Sequence, residues 1–319
     1  MNEPNQTNRP VKPIFLVGCE RSGTTMLRLM LNNHPQIAFH FEFDFVVTGL
    51  PHTGFPEMQK YRAALLKDRI FTDSNFQIDS SLSYEATVNS FLMQVMHREN
   101  KPLVGAKIHH AFDRLPDVWP DCRIIHIIRD PRDVARSIVN EGWEGNVWCA
   151  AKWWKDAEET WDRLRSRLAP ENFLELKFGE LVSDPKSKLE GICRFLGIDY
   201  SDEMMRYSER SKYDKPDVSL SQQWKIKLTH DGIALVEAQV GGLLEIRGYQ
   251  RAVCPARNPS VMRKRLLQIQ SRLGKLRFRI RRFGLWLTME ESYARKFGSE
   301  SQNQRVREKI WAVQRRFLK

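Results

Sequence analysis

Residues 18–25 have the sequence GCERSGTT, which combines residue types suited to binding a phosphate group. They match the nucleotide-binding pattern G-x-x-x-x-G-K-[ST] at every defined position except one, because Thr24 stands in place of the lysine. The glycines allow backbone amides to converge on an anion, and a helix beginning near Thr24 would add its positive end. Arg21 supplies a cation inside the loop. We therefore predict an anion-binding loop, against the alternative of a plain strand-to-helix turn.

Arg129 is a second candidate phosphate ligand. It follows the apolar run 123–128, where a nucleotide hydrolase usually carries the aspartate that holds magnesium. An arginine there would repel a metal ion and bind a phosphate through its bidentate guanidinium. Ser137, in the next predicted helix, would add a hydroxyl. The loop and Arg129 thus predict a site for an anionic nucleotide without magnesium; the alternative is a salt bridge from Arg129 to Asp130 or Asp133.

The elements that must position these residues are short apolar runs alternating with helical patterns. The spacing predicts strands at 14–17, 104–108, 123–128 and 173–176, and helices at 24–32, 84–97, 131–140, 147–168, 185–196 and 233–246. This alternation predicts an α/β fold of three layers, with a central mostly parallel sheet flanked by helices and with ligands at the carboxyl ends of the strands. The phosphate loop after the first strand makes the predicted fold P-loop-like.

Residues 14–26 (IFLVGCERSGTTM), together with Arg129 and Ser137, resemble the sulfotransferases that use 3'-phosphoadenosine 5'-phosphosulfate (PAPS). The RSGTT form, followed by Asn33-His34-Pro35, is similar to the tyrosylprotein sulfotransferases and their bacterial relatives. The resemblance extends from about Ile14 to Tyr249. It implies a P-loop-like fold and sulfuryl transfer from PAPS to a hydroxyl group.

The resemblance also implies how PAPS is held. The implied contacts to the co-substrate are Arg21, Ser22, Gly23, Thr24 and Thr25 at the 5'-phosphosulfate, Arg129 and Ser137 at the 3'-phosphate, and Lys225 or Lys227 in a loop that closes over the nucleotide. No metal is expected, because a sulfuryl group carries one charge fewer than a phosphoryl group and arginine and lysine suffice to stabilise its transfer.

The resemblance further implies the catalytic residues. Glu42 falls on the catalytic base of the family and Lys107 on its catalytic lysine, and Arg21 would help to stabilise the transferring group. The alternatives are that Glu42 is a cap or ion-pair partner and that Lys107 is a solvated strand-end lysine. His109 and His110 are alternative bases if Glu42 faces away.

Five tryptophans in the middle of the chain admit two interpretations. Stacking on an acceptor is one, and core packing is the favoured one, because Trp154 and Trp161 are seven residues apart on a predicted helix. The five residues are Trp143, Trp148, Trp153, Trp154 and Trp161.

The basic residues are concentrated at the C-terminus. Residues 255–319 contain 18 Lys and Arg against 4 Asp and Glu, whereas residues 1–254 contain 33 against 35. We predict a disordered N-terminal arm over residues 1–12, a sulfotransferase domain over 13–254 and a basic helical extension over 255–319. The apolar seam of this extension is spaced alternately by four and three residues and consists of Met262, Leu266, Ile269, Leu273, Leu276, Ile280, Phe283 and Leu287.

Three roles compete for this extension. A basic helix with an apolar seam suits an anionic membrane surface. The same spacing suits a coiled coil between copies of the chain or a strip docked on the main domain. Binding of a polyanion, including nucleic acid, is the least favoured.

Composition excludes several classes of protein. With 41% hydrophobic and 28% charged residues, the chain of 319 residues is not disordered or collagenous, and five cysteines without a C-x-x-C pair indicate neither a disulfide framework nor a zinc site. A polar N-terminus and the lack of a long apolar stretch predict a cytoplasmic protein, peripheral at a membrane if the extension binds lipid.

The predicted function is metal-independent sulfuryl transfer from PAPS to a hydroxyl of an unidentified acceptor, in the class of carbohydrates, glycolipids or small metabolites. One rival is a P-loop kinase that uses ATP or GTP with magnesium. The other is a non-catalytic nucleotide-binding module that its basic tail recruits to a membrane or partner.

Overall fold

The computed structural model describes residues 12–51, 53–253 and 258–315. Residues 1–11 of the predicted N-terminal arm lie outside the described residues, and so does the predicted boundary at 254–255. The chain forms two compact units: residues 1–130 with 154–223, and residues 131–153 with 224–319.

A five-stranded parallel sheet lies at the centre of the first unit. Its strands are β1 (Ile14–Val17), β2 (Ile37–His40), β3 (Leu103–Ile108), β4 (Arg123–Ile128) and β5 (Phe173–Lys177), in the order β2-β3-β1-β4-β5. All four pairs of neighbouring strands are parallel. The predicted α/β class and parallel sheet are confirmed, whereas β2 was not predicted from the sequence because its four residues follow a helix stop directly.

Helices surround this sheet. Those of the first unit are α1 (Thr24–Asn32), α2 (Met58–Leu65), α3 (Arg69–Ser74), α4 (Tyr84–Glu99), α5 (Leu115–Val118), α8 (Phe178–Ser183) and α9 (Pro185–Leu196), and α7 (Val147–Arg165) passes from the second unit into the first. Short 3-10 turns at Asp44–Val46, Phe112–Arg114, Pro170–Asn172, Asp202–Glu209 and Val218–Leu220 connect them.

The sheet separates two hydrophobic clusters, and alternation along β1 explains why. Phe15 and Val17 belong to one cluster, while Ile14 and Leu16 belong to the other. Successive side chains of a strand point to opposite faces, so a strand that is apolar throughout must be covered on both sides. Burial of all four residues thus requires the layered arrangement that the sequence predicts.

The second unit is helical. It contains α6 (Pro131–Asn140), the first part of α7, α10 (Trp224–Lys227), α11 (His230–Val240), α12 (Leu243–Ile246), α13 (Val261–Phe283), α14 (Leu285–Phe297) and α15 (Glu300–Arg315). Arg132 of α6 pairs with Glu237 of α11 at 2.8 Å, and the same carboxylate accepts hydrogen bonds from the backbone amides of Ala252 and Val253. This buried pair ties α6, α11 and the segment after α12 together.

Two predicted helices are interrupted. The helix expected at 233–246 breaks at Gly241, and the helix expected to carry the apolar seam from Met262 to Leu287 ends at Phe283. Gly241 has φ +62° and Gly284 has φ +82°, conformations that end a helix and that favour glycine. The seam residues therefore belong to two helices, α13 and α14. No helix in the described parts of the chain is long and apolar enough to cross a membrane.

Candidate active site

The loop between β1 and α1 is shaped by its glycines. A Cβ atom on Gly18 would lie 2.4 Å from the carbonyl oxygen of Ile127, and one on Gly23 would lie 2.2 Å from the ring of Phe178. Both glycines have positive φ, and so does Arg21 at +68°. A left-handed arginine is uncommon, and such residues concentrate at functional sites. The loop is therefore closely packed against β4 and α8 in a conformation that requires these glycines.

The N-terminus of α1 is the positive end of the loop. The helix begins at Thr24 directly after Gly23, which has no side chain to cap it, and its first turn contains no acidic residue. Ser22 and Thr24 are buried. The amides of the first helical turn have no partners within the helix and carry partial positive charge, which is the arrangement that binds phosphate groups.

Glu42 and Lys107 meet beside this loop. Lys107 Nζ lies 3.2 Å from Glu42 Oε1 and 3.5 Å from Thr25 Oγ1. The lysine is buried and the glutamate side chain is about one third exposed. Burial lowers the pKa of Lys107, and the Glu42 carboxylate partly offsets this. A carboxylate open to an acceptor and a buried cation are thus positioned next to the phosphate loop.

Neighbouring strands bring the pair together. Lys107 lies near the end of β3, and Glu42 follows β2, which pairs with β3 through His40 and Ala106. The Phe43 amide donates a hydrogen bond of 2.8 Å to the Lys107 carbonyl, which extends the contact beyond the ladder. His40 anchors the turn: it stacks on Phe41 and Phe76, and burial lowers its pKa to about 3.

Arg28 is a charged neighbour that the sequence analysis missed. It lies on α1 one turn after Thr25 and is half-buried. Burial lowers the pKa of its guanidinium, and the charge of Glu42 opposes the decrease. Helical spacing could have indicated Arg28, because residues three apart on a helix share a face and the sequence analysis assigns Thr25 to the site.

The histidines after β3 have structural partners. His109 is buried and its Nδ1 donates to the Gly18 carbonyl at 2.8 Å. Asp44 accepts hydrogen bonds from the amides of His109 and His110. His110 Nε2 lies 2.9 Å from Glu20 Oε1, and this contact raises the pKa of His110 to about 9. The role of general base, for which the sequence indicates Glu42 with these histidines as alternatives, stays a prediction.

Arg129 contacts the loop from the end of β4. Its guanidinium donates to the Arg21 carbonyl at 3.0 Å and to the Leu220 carbonyl, and it lies 4.4 Å from the centroid of the Phe178 ring. Its own carbonyl accepts from Trp154 Nε1. The structure therefore places this cation at the phosphate loop, next to the turn Val218–Leu220.

The other predicted nucleotide contacts belong to the second unit. Ser137 is half-buried on α6, and Lys225 and Lys227 are exposed on α10. Asp133 of α6 accepts a hydrogen bond from the Trp224 amide, and the Arg132 guanidinium lies 3.7 Å from the centroid of the Trp224 ring. Packing against α6 thus positions α10; contact of its lysines with nucleotide stays a prediction.

The tryptophans divide between core and surface. Trp148, Trp154 and Trp161 are buried, in agreement with core packing. Trp143 and Trp153 stack at 5.7 Å and remain partly exposed. Stacking on an acceptor therefore stays a prediction for Trp143 and Trp153. Within the described residues, no group of three His, Cys, Asp or Glu side chains is arranged to hold a metal ion.

Comparisons with known proteins identify a family. Residues 13–202 match the model of the sulfotransferase family. Protein-tyrosine sulfotransferase 2 of Gallus gallus is 25% identical over 215 residues, 61% of this chain and 54% of that protein. Omega-hydroxy-beta-dihydromenaquinone-9 sulfotransferase of Mycobacterium bovis is 24% identical over 186 residues, 53% of this chain and 46% of that protein. The chain spans about half the length of these curated relatives.

A solved structure supports the fold. The sulfotransferase domain from the curacin biosynthetic pathway aligns with a TM-score of 0.55 and 18% identity, covering 76% of this chain and 99% of that domain. The architecture expected from the sequence is therefore that of a solved sulfotransferase domain.

Proposed function

Because the chain belongs to the sulfotransferase family, we propose that it transfers a sulfuryl group from PAPS to a hydroxyl group of an acceptor. The observation that carries this proposal is the contact of 3.2 Å between Glu42 and Lys107, with Thr25 of the phosphate loop 3.5 Å from the same ammonium group. A base, a buried cation and an anion-binding loop are the parts that such a transfer requires.

The residues of the loop fit a phosphosulfate group. A Cβ atom on Gly18 or Gly23 would collide with Ile127 or Phe178, so the conformation of the loop requires both glycines. Arg21 and Arg129 add two cations to the N-terminus of α1. In this proposal residues 21–25 bind the 5'-phosphosulfate, Arg129 and Ser137 bind the 3'-phosphate, and Lys225 or Lys227 contributes a further phosphate contact.

The proposed mechanism assigns one task to each charged residue. PAPS supplies an activated sulfuryl group, whose bond to the 5'-phosphate oxygen breaks as a bond to the acceptor oxygen forms. Glu42 accepts the proton of the acceptor hydroxyl. Lys107 and Arg21 stabilise the negative charge on the transferring group and on the departing phosphate, which makes the transfer independent of a metal ion.

A hydroxyl acceptor is supported by what the relatives are named for. One is named for protein tyrosine and the other for an omega-hydroxylated menaquinone. A tyrosine side chain carries a hydroxyl group, and the second name specifies one. We propose a hydroxyl acceptor in the class of carbohydrates, glycolipids or small metabolites, and a cytoplasmic enzyme.

Glu42→Gln tests the proposed base. The substitution preserves the shape of the side chain and removes its ability to accept a proton, so we expect sulfuryl transfer to fall by about 100-fold or more. Transfer from radiolabelled PAPS is measured on tyrosine peptides, hydroxylated isoprenoids, glycolipids and water. Affinity for 3'-phosphoadenosine 5'-phosphate (PAP) is measured in parallel and is expected to change little.

Glu57→Gln is the matched control, because Glu57 is an exposed carboxylate paired with Lys60. It should leave transfer unchanged. Full transfer by the Glu42→Gln protein would remove the base role from Glu42 and direct attention to His109 and His110. Loss of PAP affinity in Glu42→Gln would instead indicate that the carboxylate supports the loop.

A further inference from the structure

One side of α13 is docked within the second unit. The Gly145 amide donates to Ser271 Oγ at 2.8 Å, and Asn146 Nδ2 donates to the Leu267 carbonyl at 2.6 Å. A Cβ atom on Gly274 would lie 2.6 Å from the Cα atom of Gly145, so the two backbones are in contact. Leu267 is buried with Trp148. The docked side of α13 is therefore the side that carries residues 267, 271 and 274.

The first five residues of the predicted apolar seam lie on the opposite side of α13 and are exposed. Five of its residues are between 45% and 75% exposed: Met262, Leu266, Ile269, Leu273 and Leu276. At 100° per residue they form one stripe, roughly 150° around the helix from the docked side. Further along the seam, Phe283 and Leu287 are partly buried and pack against Ala294, Val306 and Ile310.

Arginines border this stripe on both edges. Helical geometry places Arg265 and Arg272 along one edge and Arg277 and Arg281 along the other, and all four are exposed. No residue from 246 to 289 is acidic. An apolar centre between two positive edges is typical of helices that lie in the interface of a membrane.

The next helix presents a second exposed apolar stripe. Its members are Leu285, Trp286, Met289, Tyr293 and Phe297, and Trp286 is 83% exposed. Tyrosine and tryptophan are enriched where a protein meets lipid headgroups, because each combines an apolar ring with a polar group. Exposed aromatic side chains in such number are costly in water unless a partner covers them.

Charge distinguishes among the occupants of this surface. A second copy would place the arginine edges of α13 against each other, since α13 contains no acidic residue. The two acidic residues of α14, Glu290 and Glu291, already pair with Lys309 and Arg279 of the same chain. A polyanion would satisfy the arginines and leave the apolar stripe in water. An anionic lipid surface meets both needs, because acyl chains accept the stripe while lipid phosphates bind the arginines.

We infer that the exposed faces of α13 and α14 bind the surface of an anionic lipid bilayer. The chain would then lie on the membrane by way of this surface, with the seam among the acyl chains and Arg265, Arg272, Arg277 and Arg281 at the headgroups. The inference does not depend on sulfuryl transfer.

Vesicle sedimentation of the full chain tests this inference. We expect the protein to sediment with vesicles of phosphatidylcholine containing phosphatidylserine and to stay in solution with phosphatidylcholine alone. Leu273→Gln should weaken this binding about tenfold, since one leucine is lost from the lipid-facing stripe. The double variant Arg265→Gln/Arg272→Gln should weaken it at least as much and reduce its dependence on salt.

Matched variants control for exposure and charge. Leu66→Gln removes another exposed leucine, and Lys186→Gln/Arg194→Gln removes two cations from α9; both should bind vesicles like the original protein. Failure to sediment with anionic vesicles, or unchanged binding by Leu273→Gln, would overturn the inference. A dimer in analytical ultracentrifugation that Leu273→Gln dissociates would assign the seam to a second copy instead. A different outcome is that the protein binds an RNA oligomer as tightly as it binds anionic vesicles, with an RNA affinity that Leu273→Gln leaves unchanged. That result would assign the arginines to a polyanion.

Discussion

At the scale of single residues, the site depends on cations placed where a nucleotide hydrolase has other groups. Thr24 replaces the lysine of the loop, Arg21 lies within the loop, and Arg129 contacts the Arg21 carbonyl. Lys107 adds a third cation from the neighbouring strand and contacts Glu42. In the proposed mechanism these cations stabilise the negative charge that develops on the transferring group.

The pair formed by Glu20 and His110 predicts a pH dependence. His110 has its pKa raised from 6.5 to about 9, so its contribution to stability is complete below pH 6.5 and is lost as the pH rises through about 9. Burial opposes ionisation of Glu20, yet the hydrogen bond from His110 lowers its pKa from 4.5 to about 2. The glutamate contribution is therefore complete above pH 4.5 and is lost as the pH falls towards 2.

Glu20→Gln tests this pair. We expect the difference in unfolding free energy between the original protein and the variant to be present at pH 6 and to shrink by pH 9.5. Denaturant unfolding at both pH values measures it, and NMR titration should show the His110 pKa returning towards 6.5. Glu209→Gln, at an exposed carboxylate, serves as the control. A stability difference that stays constant from pH 6 to pH 9.5 would contradict the assigned pair.

At the scale of elements, glycines determine which surfaces touch. Gly274 is unfavourable within a long helix, since a glycine lowers helix stability by about 1 kcal/mol relative to alanine. In the structure it lets α13 approach Gly145 so closely that no side chain fits between the two backbones. The same helix therefore gives up intrinsic stability for close packing, and that packing turns its apolar seam outward.

Gly274→Ala and Gly191→Ala form a matched pair of helical substitutions. Both gain helix propensity, but a Cβ on Gly274 would meet the Gly145 backbone at 2.6 Å, whereas a Cβ on Gly191 of α9 would meet nothing within 4 Å. We expect Gly274→Ala to lower the unfolding free energy by about 1 to 3 kcal/mol and Gly191→Ala to raise it by about 0.5 to 1 kcal/mol. Urea unfolding monitored by circular dichroism distinguishes the two, and stabilisation by both would refute the close contact.

At the scale of the whole molecule, the excess of basic residues and the candidate active site lie in different parts of the chain. The excess of basic residues lies after residue 254, whereas the phosphate loop and the Glu42 and Lys107 pair lie in the first unit. The match to the family model ends at residue 202, so α13 to α15 lie beyond it. The chain thus combines a region that matches the sulfotransferase family with a basic segment beyond that match.

Ligand-dependent stability of the whole protein distinguishes a sulfotransferase from a kinase. PAP at about 100 times its dissociation constant should stabilise the native state by about 2.7 kcal/mol and raise the melting temperature without magnesium. ATP with magnesium should produce a smaller increase, because Thr24 replaces the lysine of the loop and Arg129 stands in the place of the metal-binding aspartate. Differential scanning calorimetry measures both. An increase with ATP and magnesium alone would favour the P-loop kinase and contradict the proposed donor.

The sequence by itself determined the local parts of this protein. The bounds of β1, α1 and β4, the loop between the first two, the parallel sheet and the family resemblance all follow from contiguous residues. Glycine spacing and apolar runs carry this information because they act on the backbone within a few residues. The resemblance also named Glu42 and Lys107, although their proximity could not be read from their spacing.

Only the tertiary structure decided which distant surfaces meet. Glu42 and Lys107, 65 residues apart, come together because an unpredicted strand, β2, pairs with β3. In α13 the seam looked like the packing surface, yet the side that packs carries Leu267 and Ser271, and the seam from Met262 to Leu276 is exposed. A helix with more than one apolar or small-residue stripe has more than one side that can pack, and the neighbouring backbone determines which one is buried.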